Sequence, residues 1–388
     1  MLNISEFKPY VFNCDMQEVV SPPFDTISWN QEMELRNKKC NIVKLTMPEK
    51  NLGIKASLDI FHRWISEKKL EQINNDILII LKQEFYNNKE LMQRFGIIAL
   101  VDVCADNIKP HELTFPNQVI DRKEVMKTLN AQLEPIFMVV PDNSFDKLLK
   151  RTASELPTEF VFEEPLGVHN YVYFLDSREK IEKIKSSVRQ DVGIVADGHH
   201  RLRAVQELYS ETNDGFWKYV MSYITSIYDP GLMIGGVHRL VYGINFEPFI
   251  PRIKNFFDIV EDKNFYGDHR ICIYSNSKFY YLTPKDYIIK EKFGNSKPLP
   301  TEIVNNILFQ DVFSMNTAEY QKNIRFIYNY TDAINSVDNH ECNFSILIPS
   351  WQKEEFLKFI TENKLLPQKS TYFYPKIPSG IALYVKPL

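Results

Sequence analysis

Residues 192–205 read Val-Gly-Ile-Val-Ala-Asp-Gly-His-His-Arg-Leu-Arg-Ala-Val. The apolar run at residues 192–196 predicts a buried strand, and the apolar spacing after residue 201 predicts an amphipathic helix. Residues 197–201 therefore lie where a strand leads into the N-terminus of a helix. Free backbone N–H groups and the positive end of the helix dipole favour an anion at such a turn.

The side chains of this loop suit a phosphate group. Gly198 lets the backbone approach a ligand closely, Arg201 adds a permanent positive charge, and His199 and His200 are able to donate or transfer protons. Another interpretation is a capped helix with two surface histidines, in which Asp197 is the cap. The combination of all five residues between an apolar strand and an amphipathic helix favours the phosphate site.

The loop also resembles the signature loop of the ParB/sulfiredoxin superfamily, whose members bind nucleotide phosphates there. Three further segments resemble blocks of domain-of-unknown-function family 1015. They are Ser-Pro-Pro-Phe-Asp-Thr-Ile-Ser at residues 21–28, a central block within residues 109–132, and Lys-Ser-Thr-Tyr-Phe-Tyr-Pro-Lys at residues 369–376. Because the four blocks follow one another along nearly the whole chain, the sequence is identified as a member of that family.

The resemblance implies catalytic roles for two acids. Free-serine kinases of the same superfamily carry a Lys-Pro-His-Glu segment before the loop, and residues 109–112 match it letter for letter. Their glutamate is the catalytic base, which implies that role for Glu112. A carboxylate that accepts the proton of a hydroxyl is what phosphoryl transfer requires. Asp197 matches the second important acid of those kinases; His200 is a further catalytic candidate, and His111 is a substrate-binding one.

Other residues are candidates for holding phosphate or substrate. Arg122 is a candidate phosphate ligand and Arg239 a candidate substrate ligand, although either could be a surface charge or part of a structural ion pair. Lys369, Ser370 and Thr371 resemble the segment that helps to hold substrate in the kinases. Tyr372 and Phe373 follow, where those kinases have Arg and His, so the contact with a substrate carboxylate is in question.

Other chemistries find less support in the sequence. Sulfiredoxin chemistry needs a cysteine immediately before the His-Arg pair, and His199 stands there instead. The five cysteines are scattered and none forms a CxxC motif, which argues against a zinc site or a disulfide framework. Asp25 in the first block is a metal ligand or a turn cap, and we favour the cap. No metal ligand set is assigned.

Length and composition limit the class of protein. A chain of 388 residues with 44% hydrophobic and 25% charged residues is typical of a globular protein of two or three domains. The net charge of −4 provides no general basic field for nucleic acid. With no signal peptide and no membrane-length apolar run, we expect a cytoplasmic protein that binds neither membranes nor nucleic acid. Its oligomeric state is left open.

We expect an α+β (mixed α/β) fold with a ParB/sulfiredoxin-like nucleotide-binding core. The predicted domains are an N-terminal family-specific segment at residues 1–93, the core at 94–245, and a C-terminal substrate or closure domain at 246–388. Locally, we expect a strand at residues 41–46 and a helix after Pro116.

The functional hypothesis is phosphoryl transfer between ATP or ADP and the hydroxyl of a small amino acid, with Mg²⁺ neutralising the phosphate charge. Free L-serine is the first candidate acceptor, and the reaction can also run in reverse from O-phosphoserine. The alternative is a ParB-like nucleotide-binding switch without kinase activity. The nucleotide, which could also be CTP, and the direction of the reaction are not decided by the sequence.

Overall fold

The computed structural model describes residues 1–387, with the exception of residues 50, 88, 113, 166, 268, 363–364 and 368. Leu113 of the central sequence block therefore lies outside the described residues. The chain divides into two compact units. The first comprises Met1–Met233, Ile360–Leu365 and Pro375–Leu388, and the second comprises Ile234–Phe359 and Leu366–Tyr374. The expected domains with boundaries at residues 93 and 245 stay a prediction.

The first unit is built on a nine-stranded mixed sheet. Its strands and those of two small sheets are β1 Ile4–Ser5, β2 Tyr10–Phe12, β3 Leu70–Gln72, β4 Leu78–Asn87, β5 Glu90–Asp102, β6 Ile108–Pro110, β7 Ala131–Gln132, β8 Ile136–Val140, β9 Phe160–Glu163, β10 His169–Leu175, β11 Gly193–Asp197, β12 Tyr219–Ser226 and, near the C-terminus, Tyr384–Val385. The large sheet has the order β6-β11-β8-β12-β5-β4-β10-β9, and β1 adds to β5. The predicted strand before the loop is confirmed as β11.

Helices cover one face of this sheet. The helices of the unit are α1 Met16–Val19, α2 Trp29–Asn37, α3 Val43–Thr46, α4 Gly53–Ser66, α5 Pro116–Leu129, α6 Phe145–Ala153, α7 Arg178–Val188 and α8 His199–Thr212. Apolar residues of α5, α6, α7 and α8 form one buried cluster with the inward side chains of β4, β5, β8 and β12. The predicted helix from Pro116 is confirmed as α5, and its proline occupies the first position, where no N–H is needed.

The prediction of a strand at residues 41–46 is wrong. These residues form a turn and the short helix α3, in which Val43 and Leu45 are both buried. Asn41 sets the turn: its Nδ2 donates to the carbonyl of Val20 at 2.9 Å, and its Oδ1 accepts from the N–H of Val43 at 3.0 Å. A run of six residues is too short for its apolar spacing to separate strand from helix, so a buried asparagine decided the outcome.

The second unit is built on a six-stranded antiparallel sheet. The strands of this sheet are β14 His238–Val241, β15 Phe257–Asp262, β16 Ile271–Ser275, β17 Lys278–Pro284, β18 Ile324–Ile327 and β19 Phe344–Leu347. A separate two-stranded sheet consists of β13 Met233–Gly235 and β20 Tyr372–Tyr374, and the strand Tyr384–Val385 of the first unit is β21. The helices of the second unit are α9 Ile250–Phe256, α10 Asp286–Phe293, α11 Pro300–Ile303, α12 Thr317–Asn323, α13 Tyr330–Asp338 and α14 Lys353–Thr361, with a π-helix at Val304–Val312 after α11. The sheet order is β15-β17-β16-β19-β14-β18. As predicted, the fold is α+β.

The close approach of β5 and β12 gives a stability prediction. A Cβ atom on Gly96 would overlap the ring of Tyr223, whereas a Cβ atom on Gly215 would meet nothing within 4 Å. Gly96→Ala is therefore expected to lower the free energy of unfolding by about 1–3 kcal/mol, because the buried ring has to move. Urea denaturation measures the change, and Gly215→Ala is the matched control. Equal stability of the two variants would contradict the packing described here.

Candidate functional site

The two candidate acids leave the sheet at the same edge. Strands β6 and β11 are parallel neighbours, and their last paired residues are Pro110 and Val195. Asp197 follows Val195 by two residues, and Glu112 follows Pro110 by two residues. Since carboxyl ends of neighbouring parallel strands share one edge, both carboxylates belong to the rim where open α/β sheets bind ligands.

The turn from β11 into α8 depends on glycine. Gly198 precedes the first residue of α8 and has φ +86°. A Cβ atom there would lie 2.9 Å from Ile136 Cγ2 and 3.0 Å from Arg201 Nη2. The N–H of Gly198 donates to Asp197 Oδ1 at 2.9 Å, and helical hydrogen bonding begins with the N–H of Leu202 on the Gly198 carbonyl. The first turn of a 14-residue helix thus faces this edge with its backbone N–H groups.

A pair of neutral histidines joins β6 to α8. The N–H of His111 donates to His199 Nε2 at 3.3 Å, and the two rings meet edge to face with 4.6 Å between their centroids. Burial lowers the pKa of His111 to about 4. Burial and the neighbouring His111 lower the pKa of His199 well below its ordinary value. Both rings therefore stay neutral at neutral pH, and His199 acts as an acceptor; its contact with phosphate stays a prediction.

His200 lies on the outer side of the same turn. Its Nε2 accepts the N–H of Phe115 at 2.9 Å, and the two rings are nearly parallel, 6.2 Å apart and inclined by 4°. These contacts hold the chain just after Glu112 against the first turn of α8. The catalytic role predicted for His200 stays a prediction.

Lys376 is the residue of this site to which sequence reasoning assigned no role. Its Nζ lies 3.0 Å from Asp197 Oδ2, and only 14% of the lysine side chain and 20% of the aspartate side chain are exposed. Burial alone would raise the pKa of Asp197, but the positive charges of Lys376 and Arg201 outweigh it and hold this pKa well below its usual value. The only sequence signal was that Lys376 ends the fourth family block.

Arg201 lies beneath the loop and is buried. Its Nη1 donates to the carbonyl of Pro135 at 2.7 Å and lies 3.8 Å from Glu134 Oε2. Ser379 donates in turn to Glu134. A buried ion pair that also bonds the main chain holds its partners in one geometry. In the described structure Arg201 therefore supports the loop, and its direct contact with phosphate stays a prediction.

Arg122 lines a small cavity together with Arg201, Glu134 and Thr46. Its Nη1 donates to the Thr46 carbonyl at 2.8 Å, its Nε donates to Asp121 at 2.8 Å, and its guanidinium lies 4.0 Å from the ring centroid of Phe24. The first family block thus packs on a predicted phosphate ligand. Arg122 and Arg201, both predicted phosphate ligands, therefore line the same cavity.

Asp25 from the same block is exposed in a short 3₁₀ turn at Phe24–Thr26. Among the described residues no group of three or more His, Cys, Asp or Glu side chains is placed to hold a metal ion.

The predicted substrate residues of the C-terminal region belong to the second unit. Arg239 is fully buried, donates from Nη2 to the Lys369 carbonyl at 3.2 Å, and lies 4.7 Å from the ring of Phe326. Ser370 is also buried, donates to the Pro367 carbonyl at 2.5 Å, and its hydroxyl lies 3.1 Å from that of Thr301. Thr371 follows on the chain, and the approach of all four residues to the loop stays a prediction.

Comparison with known families now gives the class of this protein. The family model described as "Protein of unknown function (DUF1015)" matches residues 6–310. The chain therefore belongs to the DUF1015 family, as the four blocks predicted. No curated protein sequence matches the chain. No helix within the described ranges is long and apolar enough to cross a bilayer.

Several solved structures are distantly similar. A conserved hypothetical protein from Pyrococcus furiosus is 16% identical, with a TM-score of 0.40 over 74% of this chain and 94% of its own. A mutant free serine kinase in complex with ADP is 13% identical, with a TM-score of 0.40 over 71% of this chain and 87% of its own. C-terminally truncated SbnI from Staphylococcus aureus is 12% identical, with a TM-score of 0.40 over 73% of this chain and 85% of its own. These similarities are too distant to indicate an activity.

The Asp197–Lys376 pair gives a pH-dependent prediction. Lys376→Met leaves a buried carboxylate without its closest counter-charge, so the variant is expected to lose about 3 kcal/mol of unfolding free energy at pH 7. In the wild type the depressed pKa of Asp197 stabilises the fold above about pH 4, and this contribution is lost as the pH falls further. In the variant the pKa of Asp197 rises, and its protonation in acid relieves the buried charge. The difference between the two proteins should therefore shrink as the pH falls from 7 towards 4.

Urea denaturation at several pH values measures this difference. Lys386→Met is the control, because Lys386 pairs with Asp214 in a more exposed ion pair of the same C-terminal segment. A pH-independent loss, or an equal loss in the control, would contradict the assignment.

Proposed function

We propose that this protein transfers a phosphoryl group between an adenine nucleotide and the hydroxyl of a small amino acid, with free L-serine as the first candidate. The observation that carries the proposal is the shared edge of β6 and β11. There the chain carrying Glu112, the charged Asp197–Lys376 pair and the N-terminus of α8 come together. Nucleotide phosphates at a helix N-terminus and a carboxylate beside them are the parts that this reaction needs.

The proposed transfer exchanges one bond to phosphorus for another. The hydroxyl oxygen of the acceptor forms a bond to the terminal phosphorus of ATP, and the bond from that phosphorus to the bridging oxygen of ADP breaks. The electron pair of the broken bond stays on the bridging oxygen, which leaves as part of ADP, and the hydroxyl proton passes to Glu112 as general base. The same site runs the reverse reaction from a phosphorylated amino acid and ADP, since both directions share one transition state.

The loop residues act as the phosphate-binding part of the site. Gly198 brings backbone N–H groups to the nucleotide, and Arg201 supports the loop from below while adding positive charge. Lys376 keeps Asp197 ionised and in place. Where Mg²⁺ accompanies the nucleotide, Asp197 would offer it a carboxylate oxygen, the kind of ligand that this ion prefers beside substrate phosphates. The ion neutralises phosphate charge when bound.

Lys369, Ser370 and Thr371 form the substrate-binding segment in this proposal, and Arg239 holds the Lys369 main chain. A crystal structure with nucleotide and acceptor bound tests this assignment directly. A complex in which none of the three residues contacts the acceptor, directly or through a water molecule, would overturn it.

A transfer assay tests the proposed function as a whole. Full-length protein is incubated with Mg²⁺, with ATP or ADP, and with a panel of hydroxyl-bearing amino acids or their phosphate esters, and phosphate transfer is followed. Transfer to or from one member of the panel supports the proposal. Tight nucleotide binding without transfer to any of them would identify a nucleotide-binding switch instead.

The first prediction concerns the loop. In Gly198→Ala, alanine has to adopt a left-handed backbone conformation. Its Cβ atom would also lie 2.9 Å from Ile136 Cγ2 and 3.0 Å from Arg201 Nη2. We expect nucleotide affinity to fall at least roughly tenfold, because the phosphate-binding N–H groups are displaced. Calorimetry with ATP and ADP measures this loss. Gly53→Ala is the control, since Gly53 has φ +69° but no atom within 4 Å of the added Cβ. Unchanged affinity in a folded Gly198→Ala variant would place the nucleotide elsewhere.

The second prediction concerns the base. Glu112→Gln keeps the shape of the side chain but cannot accept a proton, so turnover should fall by roughly 10² to 10⁴. Nucleotide affinity should barely change, because Glu112 faces the acceptor hydroxyl in this proposal. Steady-state kinetics and calorimetry give the two quantities, and Glu124→Gln on the exposed side of α5 is the control. Full turnover in Glu112→Gln would end the assignment, and loss of nucleotide binding would mark the residue as structural.

A further inference from the structure

One face of the central sheet carries a row of polar and aromatic side chains that begins at the candidate site. After a register shift that follows Val195, Asp197 pairs with Phe137 of β8, and Phe137 pairs with Tyr223 of β12. Paired residues of neighbouring strands point to the same face. Tyr223 is therefore two strands away from Asp197 on that face.

Arg94 extends over this row. It begins on β5, where it pairs with Gln83 of β4. Its guanidinium carbon lies 4.9 Å from the ring centroid of Phe137 and 5.2 Å from that of Tyr223. Because adjacent strands are about 5 Å apart, the guanidinium is on the order of 10 Å from Asp197. The positive charge of Arg94 thus lies on the sheet face that leads to the candidate acids.

Two of the three guanidinium nitrogens of Arg94 have no hydrogen-bond acceptor among the described residues. The side chain is fully buried, and its Nη2 donates to Gln83 Oε1. Within the described residues, Arg94 Nε and Nη1 and the hydroxyl of Tyr223 have no hydrogen-bond partner. A buried donor without an acceptor is destabilising, so three of them beside one another indicate an acceptor that binds there.

The charge of Arg94 is also incompletely balanced. Arg94 forms no ion pair with any described residue. Its charge acts to lower the pKa of two buried acids, Glu164 and Asp229. Burial raises the pKa of Glu164 to about 7, so near neutral pH this carboxyl is close to half protonated. Asp229 accepts the backbone N–H groups of Phe95 and Gly231 at 2.9 and 2.8 Å. An anionic acceptor would balance the guanidinium better than water.

Lys376 connects this row to the site. Its carbonyl accepts the Nε2 of Gln83 at 3.0 Å, while its Nζ pairs with Asp197. One residue thus spans from the Gln83–Arg94 contact to the candidate catalytic acid. Asp197 and Lys376 are the partly exposed end of the row, and a small ligand would enter from that end.

We propose that Arg94 and Tyr223 bind the carboxylate of a small hydroxy acid or amino acid. Its hydroxyl then points towards Asp197 and Glu112. The orientation of the hydroxyl towards the two acids rests on the proposed phosphoryl transfer. Carboxylate binding at Arg94 is independent of it.

The chemistry of the two side chains selects this class of ligand. Guanidinium and phenol supply donors, and a carboxylate supplies acceptors and one negative charge. Burial raises the pKa of Tyr223 to about 12, so its hydroxyl remains a donor. A phosphate dianion is a poorer fit for one buried arginine, because the desolvation penalty rises steeply with charge.

The test measures binding of carboxylic acids against the corresponding carboxamides, in which an uncharged group replaces the carboxylate. Glycolate, L-serine and L-homoserine, each with its carboxamide, are titrated into the full chain by calorimetry. At least one acid should bind the wild type more than about tenfold tighter than its amide, since a charged hydrogen bond contributes roughly 1.5–3 kcal/mol. Arg94→Met should abolish this preference, and Tyr223→Phe should weaken acid binding by roughly tenfold.

Control variants separate the possible outcomes. Arg203→Met removes an arginine of α8 whose side chain is 57% exposed, and it should leave the preference unchanged. If Arg94→Met does not fold, Tyr223→Phe decides, because it removes a single oxygen. Equal binding of every acid and amide, or an unchanged preference in a folded variant, overturns the carboxylate site. Arg94-dependent acid binding without any phosphoryl transfer would retain the site and reject the proposed function.

Discussion

The ion pair between Asp197 and Lys376 is the interaction on which the candidate site depends. It places a positive charge 3.0 Å from a carboxylate at the end of β11, where burial would otherwise favour the neutral acid. The same lysine binds Gln83 through its main chain and so anchors the C-terminal segment to the sheet. Lys376 thereby keeps Asp197 of the loop ionised and also contacts the central strands of the sheet.

Paired charges and hydrogen bonds surround the rest of the candidate site. Beneath the loop, Arg201 is held by Glu134 and the Pro135 carbonyl, and Ser379 holds Glu134. The two buried histidines stay neutral and contribute hydrogen bonds rather than charge. Buried charges at such a turn have to be paired, because an isolated one would shift its pKa and neutralise. The loop is therefore positioned before any ligand arrives.

Local patterns predicted local structure well where several signals agreed. The strand–glycine–helix order around Gly198 followed from the apolar spacing on either side of the loop and from the glycine between them. The helix after Pro116 was predicted in a polar block, and proline suits the first position of a helix. The interpretation of residues 41–46 failed because Asn41, through its bonds to Val20 and Val43, outweighed a short apolar pattern. The local pattern contained no sign of those partners.

The sequence by itself determined the strand–loop–helix segment around Gly198, the position of an acid after Lys109-Pro110-His111, and membership of the DUF1015 family. Only the tertiary structure decided that Lys376, 179 residues away, neutralises Asp197, and that Arg94 extends over Phe137 and Tyr223. The physical reason is the strand order of the sheet, in which β11 lies between β6 and β8 and β12 lies between β8 and β5. Periodicity and turn residues encode which elements form, whereas burial and charge pairing between distant segments decide which side chains meet.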